Sequence, residues 1–385
     1  MRRLFALFFW IAALTVPAFC QTYLIAPFAN RTKIASLDWL GESLAETVRE
    51  TLAEDGYSTI GREDREEAAR RLALRPVSQV SLASLAKLCE GAGADRLVYG
   101  RIEFLPDASA PAPGKGTLRV IARVLDVKDA VQIAEFFESG PVLELGGLET
   151  DLAWKIQRWA RPERHVDLEQ FRAQHPPVKN TARENYVRGL LATSADQRHR
   201  LLTQAARLDP SFTQPAFVLG REHFLKGNFR EASGWLERVP PRNLNYIEAQ
   251  FVLALCRYQL GEFDAARQLL EQISARVPVP EVWNNLGAAQ ARLNDPRSLE
   301  NFKKALEADS TDSDYQFNMG YSLWKRGEFE SAANYFRAVL DHSGGDQDSI
   351  QLLGRCLKKS GPRAGDWRTE GLERLKESYE EPGPR

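Results

Sequence analysis

The sequence predicts an α+β domain followed by an all-α solenoid of about six helix pairs. Three observations carry that expectation. Strand and helix patterns alternate over residues 21–160, residues 182–380 show helical periodicity alone, and small residues recur there every 33 or 34 positions. The 385 residues are enough for two or three domains of about 150 residues each. With 43% apolar and 27% charged residues, the chain has the composition of a globular protein rather than a disordered one. Its 51 Lys and Arg balance 52 Asp and Glu, which argues against a dedicated nucleic-acid binder, because phosphate neutralisation needs a basic excess.

The first twenty residues read as an address. Arg2 and Arg3 precede a 13-residue apolar run, Leu4–Val16, and Pro17-Ala18 follows. That layout predicts a cleavable secretory signal peptide over residues 1–20, too short to cross a bilayer core of about 30 Å comfortably. Cleavage after Ala18 or after Cys20 fits. The expected location is therefore periplasmic, secreted or envelope-associated. Pro17 and Phe19 stand where lipoprotein signals carry Leu and a small residue, which disfavours lipidation of Cys20. No later run approaches 18 apolar residues, so the mature chain is expected to have no transmembrane helix, with membrane proximity left open. Cys89, Cys256 and Cys356 are too scattered for a disulfide framework.

In the first domain, residues 21–160, Thr22–Phe28 is a short apolar run fit for a buried strand. Leu40, Leu44, Val48 and Leu52 form one helical stripe within Leu37–Ala53, and Gly56 can stop it. Tyr57–Ile60 reads as a second strand and Arg62–Leu74 as an amphipathic helix. Ser81 can cap a helix over Leu82–Glu90, ahead of the turn at Gly91-Ala92-Gly93. Arg96–Phe104 alternates with a slip at Gly100, the mark of a bulge. Pro106–Gly116 reads as a mobile loop, Thr117–Asp126 and Val131–Glu138 as two further strands, and Leu145–Trp159 as a closing helix. The order is βαβαβββα, a sheet covered by helices. Residues 161–180, with Pro162, Pro176 and Pro177, read as a linker carrying one short helical piece around Val166–Ala173.

Four short motifs in order bear a resemblance: Ile25-Ala26-Pro27-Phe28 with Asn30, then Asp38-Trp39-Leu40-Gly41-Glu42, then Gly93-Ala94-Asp95 before Val98-Tyr99-Gly100, then Leu125-Asp126-Val127. Over about 110 residues this stretch resembles the amino-terminal domains of TolB and the CsgG/FlgO-like envelope proteins. Ala130 departs from that pattern, where a turn glycine is common. Trp39 and Phe28 are expected in the core.

The second domain, residues 181–380, repeats. Gly220, Ala254, Gly287, Gly320 and Gly354 each follow a large apolar residue, and Gly227, Gly261, Asn294, Gly327 and Gly361 come seven residues later. Ala232, Ala266 and Ala332 follow in turn. Trp283-Asn284-Asn285-Leu286-Gly287, Ala305-Leu306-Glu307 and Asn318-Met319-Gly320-Tyr321 carry a close resemblance to the tetratricopeptide repeat. Two helices per repeat pack closely only where small residues cross, and neighbouring repeats stack because none buries its apolar face alone. Units are expected from Asn180, Thr213, Ile247, Pro280, Ser313 and Gln347. The second helix of the last unit, Asp366–Tyr379, is read as a polar cap because of Arg368, Glu370, Glu373, Arg374, Lys376 and Glu377. Residues 381–385 are a tail. Cys256 and Cys356 share one repeat position and are read as packing residues.

The resemblance implies that certain first-helix positions line a concave face. Here they hold Phe217, Arg221 and Phe224; Phe251, Leu255 and Tyr258; Asn284 and Arg292; Phe317, Tyr321, Trp324 and Lys325; and Arg355 with Lys358 and Lys359. The middle is aromatic and the end basic. The Lys/Asn/Arg set with which some relatives clamp a peptide terminus is absent. An aromatic groove suits an extended or helical peptide; the alternative is that the aromatics pack internally.

Catalytic signals are weak. Neither the five histidines nor the cysteines have metal-ligand spacing, no Gly-x-Ser-x-Gly elbow occurs, and Gly114-Lys115-Gly116 lacks the rest of a phosphate loop. Asp126 and Glu138 are candidate paired carboxylates, more simply read as surface charges. The expectation is a non-enzymatic scaffold or adaptor in the envelope with a protein or peptide partner, no cofactor, no metal and no nucleic acid. A second copy of the chain is an open choice of partner. The alternatives are a small-ligand sensor or assembly accessory acting through the first domain, with polar groups near Asn30 and Asp95, and last a cell-wall hydrolase.

Overall fold

A computed structural model describes residues 21–74, 81–106, 116–164, 166–363 and 365–379. The expected signal peptide, most of the expected mobile loop and the last residues lie outside the described residues. The chain divides into two compact units, 1–180 and 181–385.

The first unit runs β1 (Thr22–Ile25), β2 (Ala29–Asn30), α1 (Leu40–Glu54), β3 (Ser58–Thr59), α2 (Arg62–Arg71), α3 (Leu82–Gly91), β4 (Arg96–Pro106), β5 (Gly116–Asp126), β6 (Val131–Pro141), α4 (Leu145–Ala160) and α5 (Leu168–Gln174). The expected α+β class holds, with two helices filling the second helical position and one extra short strand. The sheet order is β3-β1-β4-β5-β6, with β2 also on β4. β1 lies parallel to β3 and β4, whereas β4, β5 and β6 form an antiparallel meander. Leu40, Leu44, Val48 and Leu52 are buried together, which is the expected α1 stripe. Ser81 caps α3, its side chain accepting from the Ser84 amide.

Two details differ from expectation. Gly100 is not a bulge. It pairs in register with Ala122, and the irregularity falls between Val124 and Leu125. A Cβ at Gly100 would collide with the Phe28 ring and the Ile121 carbonyl, so the glycine admits an aromatic side chain against the strand. The segment read as a linker is folded onto the first unit. Phe171 of α5 is buried, Trp154 Nε1 donates to the Val166 carbonyl at 2.9 Å, and His175 Nε2 lies 2.7 Å from Glu54.

The second unit is a ladder of helix pairs: α6 (Asn180–Leu191) with α7 (Ala195–Leu208), α8 (Gln214–Leu225) with α9 (Phe229–Leu236), α10 (Tyr246–Gln259) with α11 (Phe263–Ser274), α12 (Pro280–Arg292) with α13 (Ser298–Ala308), and α14 (Ser313–Lys325) with α15 (Phe329–His342). It closes on a single helix, α16 (Gln347–Leu357). The small residues do what close crossing requires. A Cβ at Gly287 would lie 2.8 Å from the Phe302 ring, and one at Gly220 2.6 Å from Leu236. At Gly354 it would meet nothing within 4 Å among the described residues.

That open space has a cause. The expected second helix of the last unit, Asp366–Tyr379, is not a helix. After a short 3-10 turn at Trp367–Thr369 the chain runs on in non-helical form through residues 370–379. Gly365 and Gly371 both take positive φ, 77° and 72°, which breaks any continuous helix. Of the charges that read as a solvent-facing cap, Glu373, Arg374 and Lys376 instead meet partners inside the solenoid, whereas Arg368, Glu370 and Glu377 are exposed.

Candidate peptide-binding groove

The inner wall is built from the first helices of successive pairs, α10, α12, α14 and α16. Phe317, Tyr321 and Trp324 of α14 are each no more than 1% exposed, as is Phe251 of α10. Their rings stack along α14, with centroids 6.1 Å apart for Phe317 and Tyr321 and 5.9 Å for Tyr321 and Trp324. What covers this wall is the chain's own segment 366–379. The segment runs against the order of the repeats. Asp366 is held by Arg355 of α16 at 2.7 Å, the Thr369 carbonyl accepts from Tyr321 Oη at 2.7 Å, and the Tyr379 ring lies 5.0 Å from Phe251 of α10.

Two asparagines grip its backbone. Asn318 Oδ1 accepts from the Arg374 amide at 2.7 Å, and Asn318 Nδ2 donates to the Arg374 carbonyl at 2.7 Å. Asn285 does the same for Lys376, both bonds at 2.8 Å. Asn284 reinforces the first grip, donating to the Arg374 carbonyl at 2.9 Å and accepting from Asn318 at 2.8 Å. Residues 374 and 376 are two apart, so successive repeats hold alternate residues of an extended chain. An amide side chain presents an N–H donor and a carbonyl acceptor side by side, which is what both ends of one residue's backbone need. All three asparagines are fully buried.

Side chains are read as well. The Glu373 carboxylate is enclosed among Tyr258 Oη at 3.3 Å, Arg292 at 3.7 Å and Lys325 at 3.6 Å. Burial, with the Glu373 charge added, pushes the Tyr258 and Tyr321 phenols well above their ordinary range, so both remain hydrogen-bond donors. The Arg374 guanidinium sits 3.7 Å from the Phe317 ring centroid and bonds Asp346 at 2.7 Å. Lys376 Nζ bonds Asp312 and Asp314, each at 2.7 Å, and lies 5.0 Å from the Tyr315 ring. Asp312 and Asp346 serve twice. One oxygen of each caps a helix, accepting from Tyr315 N at 3.1 Å or Ser349 N at 2.8 Å, while the other takes the tail's cation.

The residues expected to line the concave face fall into four groups, with Tyr258 in two of them. Phe251, Tyr258, Asn284, Arg292, Phe317, Tyr321, Lys325 and Arg355 touch the carboxy-terminal segment. Trp324 donates to the Ser360 carbonyl at 2.8 Å and is stacked under Arg355. Phe224, Leu255 and Tyr258 wall a cavity of about 450 Å³ beside Leu375. Phe217 and Arg221 lie apart from it, in contact with each other near the first pairs. Sequence reasoning missed Asn285, Asn318, Asp312, Asp314 and Asp346. A signal existed for two of them: Asn285 and Asn318 both stand two residues before the crossing glycine of their repeats.

Elsewhere, the candidate carboxylate pair does not form. Asp126 is paired with Arg96, whereas Glu138 is 2.5 Å from Lys155, and β5–β6 register places neither opposite the other. Asn30 is used within its own loop, donating to Asp38 at 2.6 Å and accepting from Thr32, and Asp95 accepts from the Thr22 amide at 2.8 Å. Among the described residues no cluster could hold a metal ion, and no helix is long and apolar enough to cross a membrane.

A helical-repeat solenoid closed around an extended segment is the class of molecule this geometry defines. The repeat is then specified by sequence: the tetratricopeptide repeat family model matches residues 251–313 and 296–349, from within α10 to the start of α16. The curated proteins offer no match. Among solved structures the chain is similar to MamA from Desulfovibrio magneticus RS-1, at 19% identity and a TM-score of 0.40, covering 44% of this chain and 99% of that one. It is also similar to YrrB, described as a TPR protein with an unusual peptide-binding site, at 17% identity and 0.36, covering 43% and 84%. A third is a thermophilic TPR protein from Thermus thermophilus, at 16% and 0.34, covering 46% and 99%.

Proposed function

We propose that the chain is an adaptor whose repeat unit holds an extended segment of a protein partner in the groove between α10 and α16. One observation carries this reading: Asn285 and Asn318 each satisfy both the amide and the carbonyl of one residue in an extended chain. Such recognition is independent of side-chain identity, and the flanking charged and aromatic positions add selectivity. The function is binding rather than catalysis. Export through the first twenty residues, placement in the periplasm or envelope, and docking of a TolB- or CsgG-like first unit to an envelope component or a second copy complete the proposal.

The test is selection from a library of random 15-residue peptides against the full chain, followed by titration of the binders onto Asn285→Ala/Asn318→Ala. The expected result is loss of at least ten-fold in affinity with unchanged circular dichroism. Binders indifferent to the double substitution would contradict the groove. Fractionation and mass spectrometry of the mature amino terminus test the export proposal.

A further inference from the structure

The segment 366–379 occupies the proposed binding groove with its backbone bonded at Thr369, Arg374 and Lys376, but its side chains leave space beside Leu375. Its backbone is clamped at residues 374 and 376, its carboxylate at 373 is surrounded by two cations and a phenol, and its cations at 374 and 376 meet the capping aspartates. Beside Leu375, however, an open pocket of about 450 Å³ remains, with Phe224, Phe229 and Tyr258 on one side and Gln259, Glu373 and Glu377 on its polar side. A leucine leaves the Phe224 and Phe229 side of that pocket unfilled. The segment thus satisfies the groove's asparagines and capping aspartates without being the best apolar fit.

Resting on the groove reading, we infer that residues 366–379 are a built-in competitor, and that the partner's segment carries the same acid–base–apolar–base order with a larger aromatic side chain at the Leu375 register. The partner displaces the tail because it fills the void. The chemistry is specific. An acidic residue enters the Tyr258–Arg292–Lys325 site, an arginine or lysine lies over Phe317 toward Asp346, and a second cation reaches Asp312 and Asp314. Tethered through the loop after α16, the tail acts at an effective concentration of about 1 mM, so a tail of intrinsic Kd about 1–100 µM makes any competing segment bind the closed chain about 10- to 1000-fold more weakly than the open one.

The probe is a fluorescein-labelled peptide of residues 366–379, and a second version carrying Leu375→Trp. Each is titrated onto the full wild-type chain and onto a full chain with Glu373→Lys, Arg374→Glu and Lys376→Glu, which opens the groove by charge reversal. The native peptide is expected to bind the open chain at least ten-fold more tightly than the wild type, and the tryptophan version to bind tighter still. Equal binding to both chains would overturn the competitor while leaving the groove intact. Binding to neither, with circular dichroism unchanged, would overturn the groove reading itself. Tryptophan binding no better than leucine would overturn the assigned partner chemistry. Should the reversed variant fail to fold, hydrogen exchange on the wild-type chain decides: excess tryptophan peptide must strip protection from residues 371–379, and unchanged protection overturns displacement.

Discussion

At the scale of single residues, burial decides which side chains can react. Burial pushes the Cys89 thiol up to about 12 and the Cys256 and Cys356 thiols up to about 11, so none is a thiolate near neutrality. A Cys20→Ser chain should give no fast thiol titration with Ellman's reagent when native and three equivalents after denaturation. Glu373 is the tail residue with the most to lose. Its replacement by Ala leaves Arg292 and Lys325 facing an emptied site and should destabilise the unit by about 1–3 kcal/mol in urea titration, discounted because both cations keep some solvent contact. The titration of the tail's contacts has a definite sign. Burial lifts Asp346, but hydrogen bonds from Ser349 and Arg374 outweigh it and hold the carboxyl below its ordinary 3.8. Burial lowers Lys376, but Asp312 and Asp314 outweigh it and hold the ammonium above 10.5. The first contribution is present above pH 3.8 and lost as pH falls through the depressed value; the second is complete below pH 10.5 and lost as pH rises through the raised one. Hydrogen-exchange protection of residues 371–379 should thus be flat from about pH 5 to 9 and fall at both extremes.

At the scale of elements, one repeat position gives opposite outcomes in two places. Gly287 and Gly354 both stand at the helix crossing, yet only Gly287 has a ring against it. Gly287→Ala should destabilise by about 1–3 kcal/mol through overpacking against Phe302, whereas Gly354→Ala, in a helix with open space, should stabilise by about 0.5–1 kcal/mol. Thermal melts of the two variants separate these signs. The same contrast explains what is legible in the sequence. The helices from α6 to α16 follow from a small residue recurring at a fixed spacing, because that spacing is the packing constraint itself. The segment 366–379 reads as a helix because the repeat register places a second helix there, and its charges resemble a solvated face. Nothing local states that those charges pair with aspartates 28 to 64 residues earlier. Gly365 and Gly371 are the available warning. In the first unit, Gly100 reads wrongly for a related reason: a glycine admitting Phe28 and one marking a bulge look alike without the neighbouring strand.

At the scale of the whole molecule, the two units have different claims to function. The first is a mixed sheet whose singled-out polar residues, Asn30, Asp95, Asp126 and Glu138, are each engaged in local bonds or ion pairs. The second buries the aromatics of its concave wall under its own carboxy-terminal segment, which is packing within the chain; binding of a partner on the same wall is the proposal. The aromatic middle and Asn284 are legible from repeat register and so is the shared position of Asn285 and Asn318, whereas their role and the occupant are not, because they are defined by contact with a distant segment.

The central claim is that the groove holds an extended backbone through its asparagines, and residue-resolved hydrogen exchange on the full chain tests it most directly. The amides of Arg374 and Lys376 should exchange at least a hundred-fold more slowly than in a free peptide of residues 366–379, and Asn285→Ala/Asn318→Ala should remove that protection while sparing the amides of α12 and α14. Exchange of both amides at the free-peptide rate in the wild-type chain would contradict it.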